Sequence, residues 1–340
     1  MINNFWLITN YSCNNRCRWC YTLPEAFSND TMKLNYAKEV MKELKDNGAN
    51  KCTLIGGEST LFQHLIELIK YGRQLGLFMK LVTNGRLLSD IKLVRRLKKA
   101  DVSLIAISLH SFKASTHNKI TQTNSYKEVI QGIKNCLQEK INFLTLTTIN
   151  SINKNDIFNT AKFLIKIGVK TIIFNIAAPS MGDRDMTKFV LAPDKITKII
   201  TKNFKLLKAS GIKAVFYATT PLCLYEEDDL REMISSSYLK TLSTGECNVF
   251  YGSGFGLDPW GNLIPCTHMV KNKLLKTMDS KGKFLYKGKF IEMWNKVKNN
   301  FGVNNWKYPS NKCINCEYKK ECIGGCPLFW REFEPKDFIK

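Results

Sequence analysis

Three cysteines near the start of the chain follow the spacing Cys13-x3-Cys17-x2-Cys20. Three thiolates this close together can hold three irons of a [4Fe–4S] cube and leave the fourth iron open to another ligand. A zinc site is the alternative, but zinc usually takes four ligands and no nearby Cys or His supplies the fourth. The spacing therefore favours an iron–sulfur cluster.

A second set of cysteines lies towards the end of the chain and comprises Cys247, Cys266, Cys313, Cys316, Cys322 and Cys326. Disulfides are rare where thiols are kept reduced, so clustered cysteines in an intracellular protein usually bind metal or do chemistry. Paired cysteines of this kind also occur in zinc ribbons. Cys52 and Cys136 stand alone in apolar segments and are predicted to be buried core thiols.

The elements that must position these residues follow a βα rhythm. Short apolar runs, each followed by a stretch of helical periodicity, are predicted to be strands: Phe5–Thr9, Thr53–Gly57, Leu77–Thr83, Val102–Leu109, Phe143–Thr148 and Thr171–Ile176. Repeats of this kind predict an α/β fold with a parallel sheet, closed or partly closed into a (β/α)6 barrel with the helices outside.

Strands in such folds present functional residues at their carboxyl ends. The cysteine triad follows the first predicted strand, and Gly56–Glu58 ends the second. Thr83–Gly85 ends the third strand, and Ser108 lies at the end of the fourth. These residues are therefore expected to meet at one mouth of the barrel.

Residues 11–21, with the sequence YSCNNRCRWCY, resemble the signature of the radical S-adenosylmethionine (SAM) superfamily, in which an aromatic residue, here Trp19, precedes the third cysteine. The resemblance implies that SAM binds the open iron of the cluster through its amino and carboxylate groups. It also implies that one-electron reduction cleaves SAM to methionine and a 5′-deoxyadenosyl radical.

The segment Gly56-Gly57-Glu58-Ser59 resembles the GGEP motif of that family. Glycines let the backbone approach a ligand closely, and a carboxylate can accept hydrogen bonds from the ammonium group of SAM. Ser59 replaces the usual proline, which removes one source of local rigidity.

The segment after the fourth strand is similar to the family in part. Ser108 matches the serine that contacts SAM. Family members often carry an arginine that pairs with the SAM carboxylate where this chain has Thr121, so Lys119 is one candidate to replace it.

Other polar residues of these loops have two interpretations. His110 and His117 are expected to be structural loop residues, with a catalytic role as the alternative. Asn84, which we include among the cofactor-binding residues, and Asn150 are either polar groups at the mouth or turn residues.

The C-terminal cysteine spacing resembles the SPASM domain, which binds auxiliary [4Fe–4S] clusters. The resemblance implies that Cys247, Cys266 and Cys326 hold a first auxiliary cluster, and that a second is held by Cys313, Cys316 and Cys322. The family's further downstream cysteine is missing. The second cluster would then be completed by Asp337 or Glu334, completed by a remote thiol, or left with an open iron.

Cys223 has three interpretations. It is a ligand that would complete the first auxiliary cluster, which has no other evident fourth ligand, or a catalytic hydrogen-atom donor, or a packed core thiol. A thiol S–H bond is weak enough to quench a carbon radical, which is the step that a peptide epimerase needs.

The resemblance predicts three parts: a radical SAM partial barrel over residues 1–192, a bridging segment over 193–240 and a SPASM domain over 241–340. It implies a peptide maturase that forms a thioether or carbon–carbon cross-link in a ribosomally made peptide. The alternatives are a peptide epimerase, a protein side-chain oxidase or small-molecule dehydrogenase, and a non-catalytic iron–sulfur electron carrier.

The expected partners are a precursor peptide, a separate leader-recognition protein and a reductant such as flavodoxin or ferredoxin. The formal charge of +22 reflects either solvated lysines or an acidic partner, and the scatter of the basic residues favours the first. Without a recognisable RNA-binding appendage, a nucleic-acid substrate is not favoured. Without a long apolar run or a signal peptide, a cytoplasmic protein is expected.

Overall fold

The computed structural model describes residues 2–21, 30–181, 186–217, 219–241, 247–298 and 307–339. Its strands are β1 (Asn4–Ile8), β2 (Lys51–Ile55), β3 (Phe78–Thr83), β4 (Leu104–Ser108), β5 (Phe143–Ile149), β6 (Ile172–Ile176), β7 (Val215–Tyr217), β8 (Leu239–Lys240), β9 (Gly254–Leu257), β10 (Asn262–Ile264) and β11 (Leu275–Lys276). All six predicted strands are confirmed.

The helices alternate with the strands through the first two thirds of the chain. They are α1 (Leu34–Asp46), α2 (Leu65–Gln74), α3 (Ile91–Lys99), α4 (Ala114–Thr121), α5 (Tyr126–Gln138), α6 (Ile157–Lys166), α7 (Pro193–Ala209), α8 (Glu227–Ser235), α9 (Asn248–Tyr251), α10 (Phe290–Lys298) and α11 (Lys319–Cys322). None of the helices in the described ranges is long and apolar enough to cross a membrane.

The strands form one sheet in the order β11-β10-β9-β1-β2-β3-β4-β5-β6-β7-β8. Neighbours from β9 through β1 to β8 pair in parallel, whereas β10 pairs antiparallel with both β9 and β11. The α/β fold with a parallel sheet is therefore confirmed. The sheet also includes strands from beyond the predicted boundaries at residues 192 and 240. β7 and β8 extend it at one edge, and β9 pairs with β1.

Side chains alternate between the two faces of each strand. On β3, Met79 and Leu81 are fully buried on the helix side, where Met79 packs against Gly72 of α2. Lys80 and Val82 point the other way and line a cavity on the inner face. The apolar core thus lies between sheet and helices, which leaves the inner face free for a site.

Candidate active site

One cavity of about 320 Å³ lies at the carboxyl ends of the parallel strands. With the exception of Lys119, it is lined by the residues that the sequence predicts for the first cluster and for SAM: Cys13, Cys17, Trp19, Cys20, Gly56, Gly57, Glu58, Asn84 and Ser108. These residues lie at or just after the ends of four strands, so the fold brings together residues that are far apart in the sequence.

The loop that carries the triad is held by its neighbours. The backbone N–H groups of Arg16 and Arg18 donate to the carbonyls of Thr121 (2.9 Å) and Ile120 (3.0 Å) at the end of α4. Arg86 also donates to the carbonyl of Asn14 in this loop. These bonds fix the backbone on which the three thiols stand.

Arg86, which follows the third strand, is itself oriented by an ion pair. Its Nε lies 2.5 Å from a carboxylate oxygen of Glu128 on α5. This positioning role could not be predicted from the sequence, because nothing in the local pattern links residue 86 to the triad.

The thiol of Cys13 lies in a mostly apolar setting. Burial raises its pKa to about 11, and the charges of Glu58 and Cys20 act in the same direction. The N–H of Asn15, 3.4 Å from the Cys13 sulfur, and the guanidinium of Arg16 oppose that rise. The bare thiol is therefore neutral, and a metal that binds it must displace its proton.

The donor set of this loop fits an iron–sulfur cluster. It offers three thiols that line one cavity. Each thiolate can bind one iron of a [4Fe–4S] cube, which leaves the fourth iron open to another ligand. Cys13, Cys17 and Cys20 are thus the residues that would hold the cluster.

Glu58 is buried, and hydrogen bonds hold its carboxylate in one orientation. Oε1 accepts from the N–H and Oγ1 of Thr60 (3.0 and 2.5 Å) and from Oγ1 of Thr83 (2.6 Å). Oε2 accepts from the N–H of Asn84 (2.7 Å), and each carboxylate oxygen can accept about two bonds. The carboxylate therefore keeps acceptor capacity at the cavity for an ammonium group.

The missing proline of the GGEP-like motif is compensated locally. Glu58 caps the short 3-10 turn Ser59–Leu61 through its bond to the N–H of Thr60. This cap supplies the rigidity that a proline at position 59 would give.

The glycines before Glu58 allow a close approach between two parts of the protein. A Cβ on Gly56 would lie 2.4 Å from the carbonyl of Asn10, and one on Gly57 would lie 2.2 Å from the carbonyl of Tyr11. The N–H of Gly57 donates to Asn10 (2.9 Å) across the same contact. Approach to a ligand is therefore not the whole explanation for these two glycines, because the backbone after β1 already requires glycine here.

Asn84 joins the triad loop to Glu58. Its backbone N–H binds Glu58, and its Nδ2 donates to Oδ1 of Asn14 (2.7 Å) and lies 4.0 Å from the sulfur of Cys13. Asn150, by contrast, does not line the cavity, and its Oδ1 accepts from the N–H of Ile152 (2.9 Å). Of the two asparagines, only Asn84 lies at the mouth.

The suggestion that Lys119 replaces the missing arginine is wrong. Lys119 is exposed and does not line the cavity, and its carbonyl accepts from Arg18 (3.2 Å). The cationic side chains that line the cavity are Arg16 and Lys80. Lys80 was missed, although a lysine at an inward position of an otherwise apolar strand is the signal for it.

His117 has a structural role. Its Nδ1 accepts from the backbone N–H of His110 (3.2 Å), so its Nε2 carries the proton and can donate to Oγ of Ser125 (3.1 Å). Burial lowers the pKa of His117 to about 4. Both ring nitrogens are thus used inside the protein.

His110 lines the cavity, and its ring meets Trp19 edge to face at 5.1 Å between centroids. Burial, followed by the nearby His117, lowers its pKa to about 3. Its Nδ1 and the indole nitrogen of Trp19 are buried without a hydrogen-bond partner among the described residues. These two atoms are polar groups that a bound molecule could reach.

The C-terminal cysteines fall into two groups. The pKa of Cys326 is raised first by burial and then by Cys247 and Cys266, so these three thiols form one group. Cys266 is followed by Thr267 and His268, both of which line the central cavity. The first group therefore adjoins the candidate active site.

The second group of thiols lines a small cavity that is separate from the central one. Its thiols are Cys223, Cys313, Cys316 and Cys322. Cys223 remains partly exposed, and its partial desolvation raises its pKa to about 11, with the other three thiols acting in the same direction. Neither Glu334 nor Asp337 lines this cavity, and Cys223 does not line the central one.

Comparison with known proteins agrees with this geometry. Residues 7–164 match the family model of the radical SAM superfamily, so this part of the chain is a radical SAM domain. A curated relative, a probable GTP 3′,8-cyclase of Saccharolobus islandicus, is 32% identical over 166 residues, which are 47% of this chain and 52% of the relative. The chain thus spans about half the length of such curated relatives.

Solved structures match over nearly the whole chain. Streptococcus suis SuiB bound to the precursor peptide SuiA has a TM-score of 0.71 and 15% identity, covering 98% of this chain and 74% of SuiB. The enzyme anSMEcpe with bound AdoMet and the Kp18Cys peptide has a TM-score of 0.66 and 16% identity, covering 96% of this chain and 89% of its own. At these identities the likeness concerns the fold.

Proposed function

We propose that this protein is a radical SAM enzyme that forms a thioether or carbon–carbon cross-link in a ribosomally made peptide. The observation that carries the proposal is the central cavity, where the cysteine triad and Glu58 face Thr267 and His268, the residues next to Cys266. A site for SAM and one group of auxiliary cysteines thus meet at the same space.

The chain's own residues would divide the work as follows. Cys13, Cys17 and Cys20 would hold the cluster, and Glu58 would accept hydrogen bonds from the ammonium group of SAM. When bound, SAM on the reduced cluster supplies a 5′-deoxyadenosyl radical that removes a hydrogen atom from the substrate. The protein must orient the two molecules and exclude water.

The walls of the cavity suit that task. Val82, Leu146 and Ile176 line it with apolar surface, which keeps water away from a reactive intermediate. Thr148 and Asn175 add polar groups that can fix the orientation of a substrate.

A cross-link requires a net oxidation of the peptide. Two hydrogens leave it: one goes to 5′-deoxyadenosine, and the other leaves as a proton while its electron needs an acceptor. The Cys247, Cys266 and Cys326 group, next to the cavity wall, is placed to hold such an acceptor. This favours cross-linking over the redox-neutral epimerisation.

Peptide substrates are also supported by the structural relatives. SuiB is known with its precursor peptide SuiA, and anSMEcpe with AdoMet and a peptide. Both likenesses include the C-terminal cysteine region. A precursor peptide is therefore the substrate that we propose.

A second candidate is a cyclisation of GTP, because the curated relatives at 32% identity bear that name. Their match covers only about half of this chain. This activity is therefore the weaker proposal.

The test is coexpression with candidate precursor peptides encoded beside the gene, followed by mass spectrometry of each peptide. The proposal predicts a peptide lighter by a pair of hydrogen atoms, with no solvent deuterium when the reaction runs in D2O. Incubation of the purified enzyme with SAM, a reductant and GTP serves as the parallel assay.

Other products would contradict the proposal in different ways. A peptide of otherwise unchanged mass that carries one solvent deuterium would indicate an epimerase. Conversion of GTP with no change in any peptide would indicate the cyclase.

A further inference from the structure

We infer that Cys223 supplies the fourth thiolate of the cluster site formed by Cys313, Cys316 and Cys322. The inference rests on the proposal that the C-terminal cysteines hold iron–sulfur clusters. It assigns a ligand from the segment between β7 and α8 to a site that has only three cysteines in the C-terminal run.

The first support is the shared cavity. Cys223 lines it together with all three of the other thiols, and the walls are completed by Pro221, Tyr308, Tyr318, Lys319, Gly324 and Ile339. No carboxylate lines this space among the described residues, although Glu334 and Asp337 were the alternatives suggested by the sequence. The four cysteines therefore make the donor set, which matches the four thiolates that a [4Fe–4S] cube accepts.

The second support is the way in which the segment before Cys223 is anchored. The N–H of Cys326 donates to the carbonyl of Thr219 at 2.7 Å. The N–H of Leu222 donates to the sulfur of Cys322 at 3.2 Å. One bond on each side of Pro221 thus ties this segment to the cysteine loop, and the second bond ends on a sulfur of the site itself.

Gly325 makes this close approach possible. A Cβ there would lie 2.9 Å from Cδ of Pro221 and 3.1 Å from its nitrogen, and the φ of Gly325 is +78°. Any other residue would push the two segments apart. The short 3-10 turn Leu222–Leu224 then places Cys223 at the cavity, while the Leu222 side chain is fully buried.

The same placement argues against the other roles of Cys223. A hydrogen-atom donor must reach the substrate, but Cys223 does not line the central cavity. A packed core thiol should be buried, but Cys223 is exposed. Cys326, the remaining cysteine nearby, belongs to the group with Cys247 and Cys266.

The two auxiliary sites are consequently different. The site with Cys223 has four thiolates and no position for a substrate, so it is suited to electron transfer. The site near the central cavity has three thiolates among the described residues and keeps one position for another ligand.

The test uses the full chain with Cys13→Ala, Cys17→Ala and Cys20→Ala as background, so that only C-terminal clusters contribute iron. After anaerobic reconstitution this background should hold about eight irons, from two cubes of four. Adding Cys223→Ala should remove between one and four of these irons, or leave a three-iron cluster visible by electron paramagnetic resonance. Cys223→Asp, which restores a ligand, should recover the iron content with an altered reduction potential.

Cys136→Ala is the matched control, because it removes a buried thiol of α5 that lines neither cavity, and it should leave the iron content unchanged. Alkylation of the wild-type protein gives an independent readout that needs no variant. Cys223 should be protected in the iron-loaded protein and should react once a chelator removes the iron.

The assignment of Cys223 would be overturned if the iron content stayed unchanged in the Cys223→Ala variant and if wild-type Cys223 were alkylated equally fast in loaded and iron-free protein. The auxiliary clusters themselves would then still stand. A background variant that binds no iron would overturn both this assignment and the auxiliary clusters of the proposed function.

Discussion

At the scale of single residues, the Glu58 carboxylate is the group that we propose to bind the ammonium group of SAM. Three protein donors meet its Oε1 and one meets its Oε2, so its position is set before any ligand binds. Such prior orientation means that binding does not have to order the group. The charge of Glu58 and its fixed position are therefore separable by mutation.

Glu58→Gln should weaken SAM binding by about 1.5–3 kcal/mol, because the ammonium group loses a charged acceptor. The amide of the variant would also oppose the N–H of Asn84. Anaerobic calorimetry measures the affinity, and the iron content should stay at the wild-type level.

Thr60→Val is the control for this substitution, because it removes one donor to Oε1 and keeps the charge. Its effect should stay near 1 kcal/mol. Equal SAM affinity in Glu58→Gln and wild type would remove Glu58 from the site.

The buried histidines predict a pH dependence of stability. In the folded protein the pKa of His117 is about 4, whereas an exposed histidine titrates near 6.5. The stabilisation is therefore complete above pH 6.5 and is lost as the pH falls towards 4, because only the unfolded chain takes up the proton. At pH 5 the loss should be about 2 kcal/mol for this residue.

His117→Asn keeps an acceptor for the N–H of His110 and removes the titration. Chemical denaturation of this variant should show a smaller loss of stability between pH 7 and pH 5 than the wild type. His64→Gln, at a half-exposed site, is the control. An identical pH profile for His117→Asn and wild type would refute the assignment of this pH dependence to His117.

The sequence predicted the residues of the site better than it predicted their partners. The triad, Glu58, Asn84 and Ser108 were found because they stand in motifs or at strand ends, and all of them line the cavity. Arg86 and Lys80 were missed. Their roles depend on contacts with residues far away in the chain, which local spacing does not encode.

At the scale of elements, the junction between β2 and the loop after β1 controls the site. Gly57→Ala would place a Cβ 2.2 Å from the carbonyl of Tyr11 and force the two backbones apart. Overpacking of this kind typically costs about 1–3 kcal/mol. Because the shift would move Glu58, SAM affinity should fall together with the free energy of unfolding.

Gly211→Ala separates the two effects. Its φ is +65° with no atom within 4 Å, so it tests the backbone cost alone. It should lower stability by about 1–2 kcal/mol and leave SAM affinity unchanged. Wild-type SAM affinity in Gly57→Ala would show that the junction does not position the site.

The strands show that a local sequence pattern can predict where a strand lies but not which strand it pairs with. The six predicted strands were recognised from apolar runs between helical stretches. The pairing of β1 with β9 was not, because Phe5 meets Phe255 and no local period connects them. The division into parts at residues 192 and 240 remains a prediction. The single sheet contains strands from all three predicted parts.

At the scale of the whole molecule, the net positive charge has two interpretations, which are solvated lysines and an acidic partner. Lys and Arg number 51 and Asp and Glu 29, which leaves an excess of 22 positive charges. If this surface recruits an acidic peptide, the affinity should fall steeply from low to physiological salt, because exposed charges are screened within ~8–10 Å. Fluorescence anisotropy with an acidic peptide and a neutral one of equal length measures this. Equal, salt-independent binding of both peptides would favour solvated lysines without a partner.

We propose that the Cys13, Cys17 and Cys20 loop carries the cluster at which SAM is cleaved. The most direct measurement is the amount of 5′-deoxyadenosine formed from SAM under a strong reductant, in wild type and in the variant with all three cysteines changed to alanine. We expect the wild type to form 5′-deoxyadenosine, and the variant to form none while it retains the iron of its C-terminal cysteines. Formation of 5′-deoxyadenosine by the triple variant would contradict this proposal.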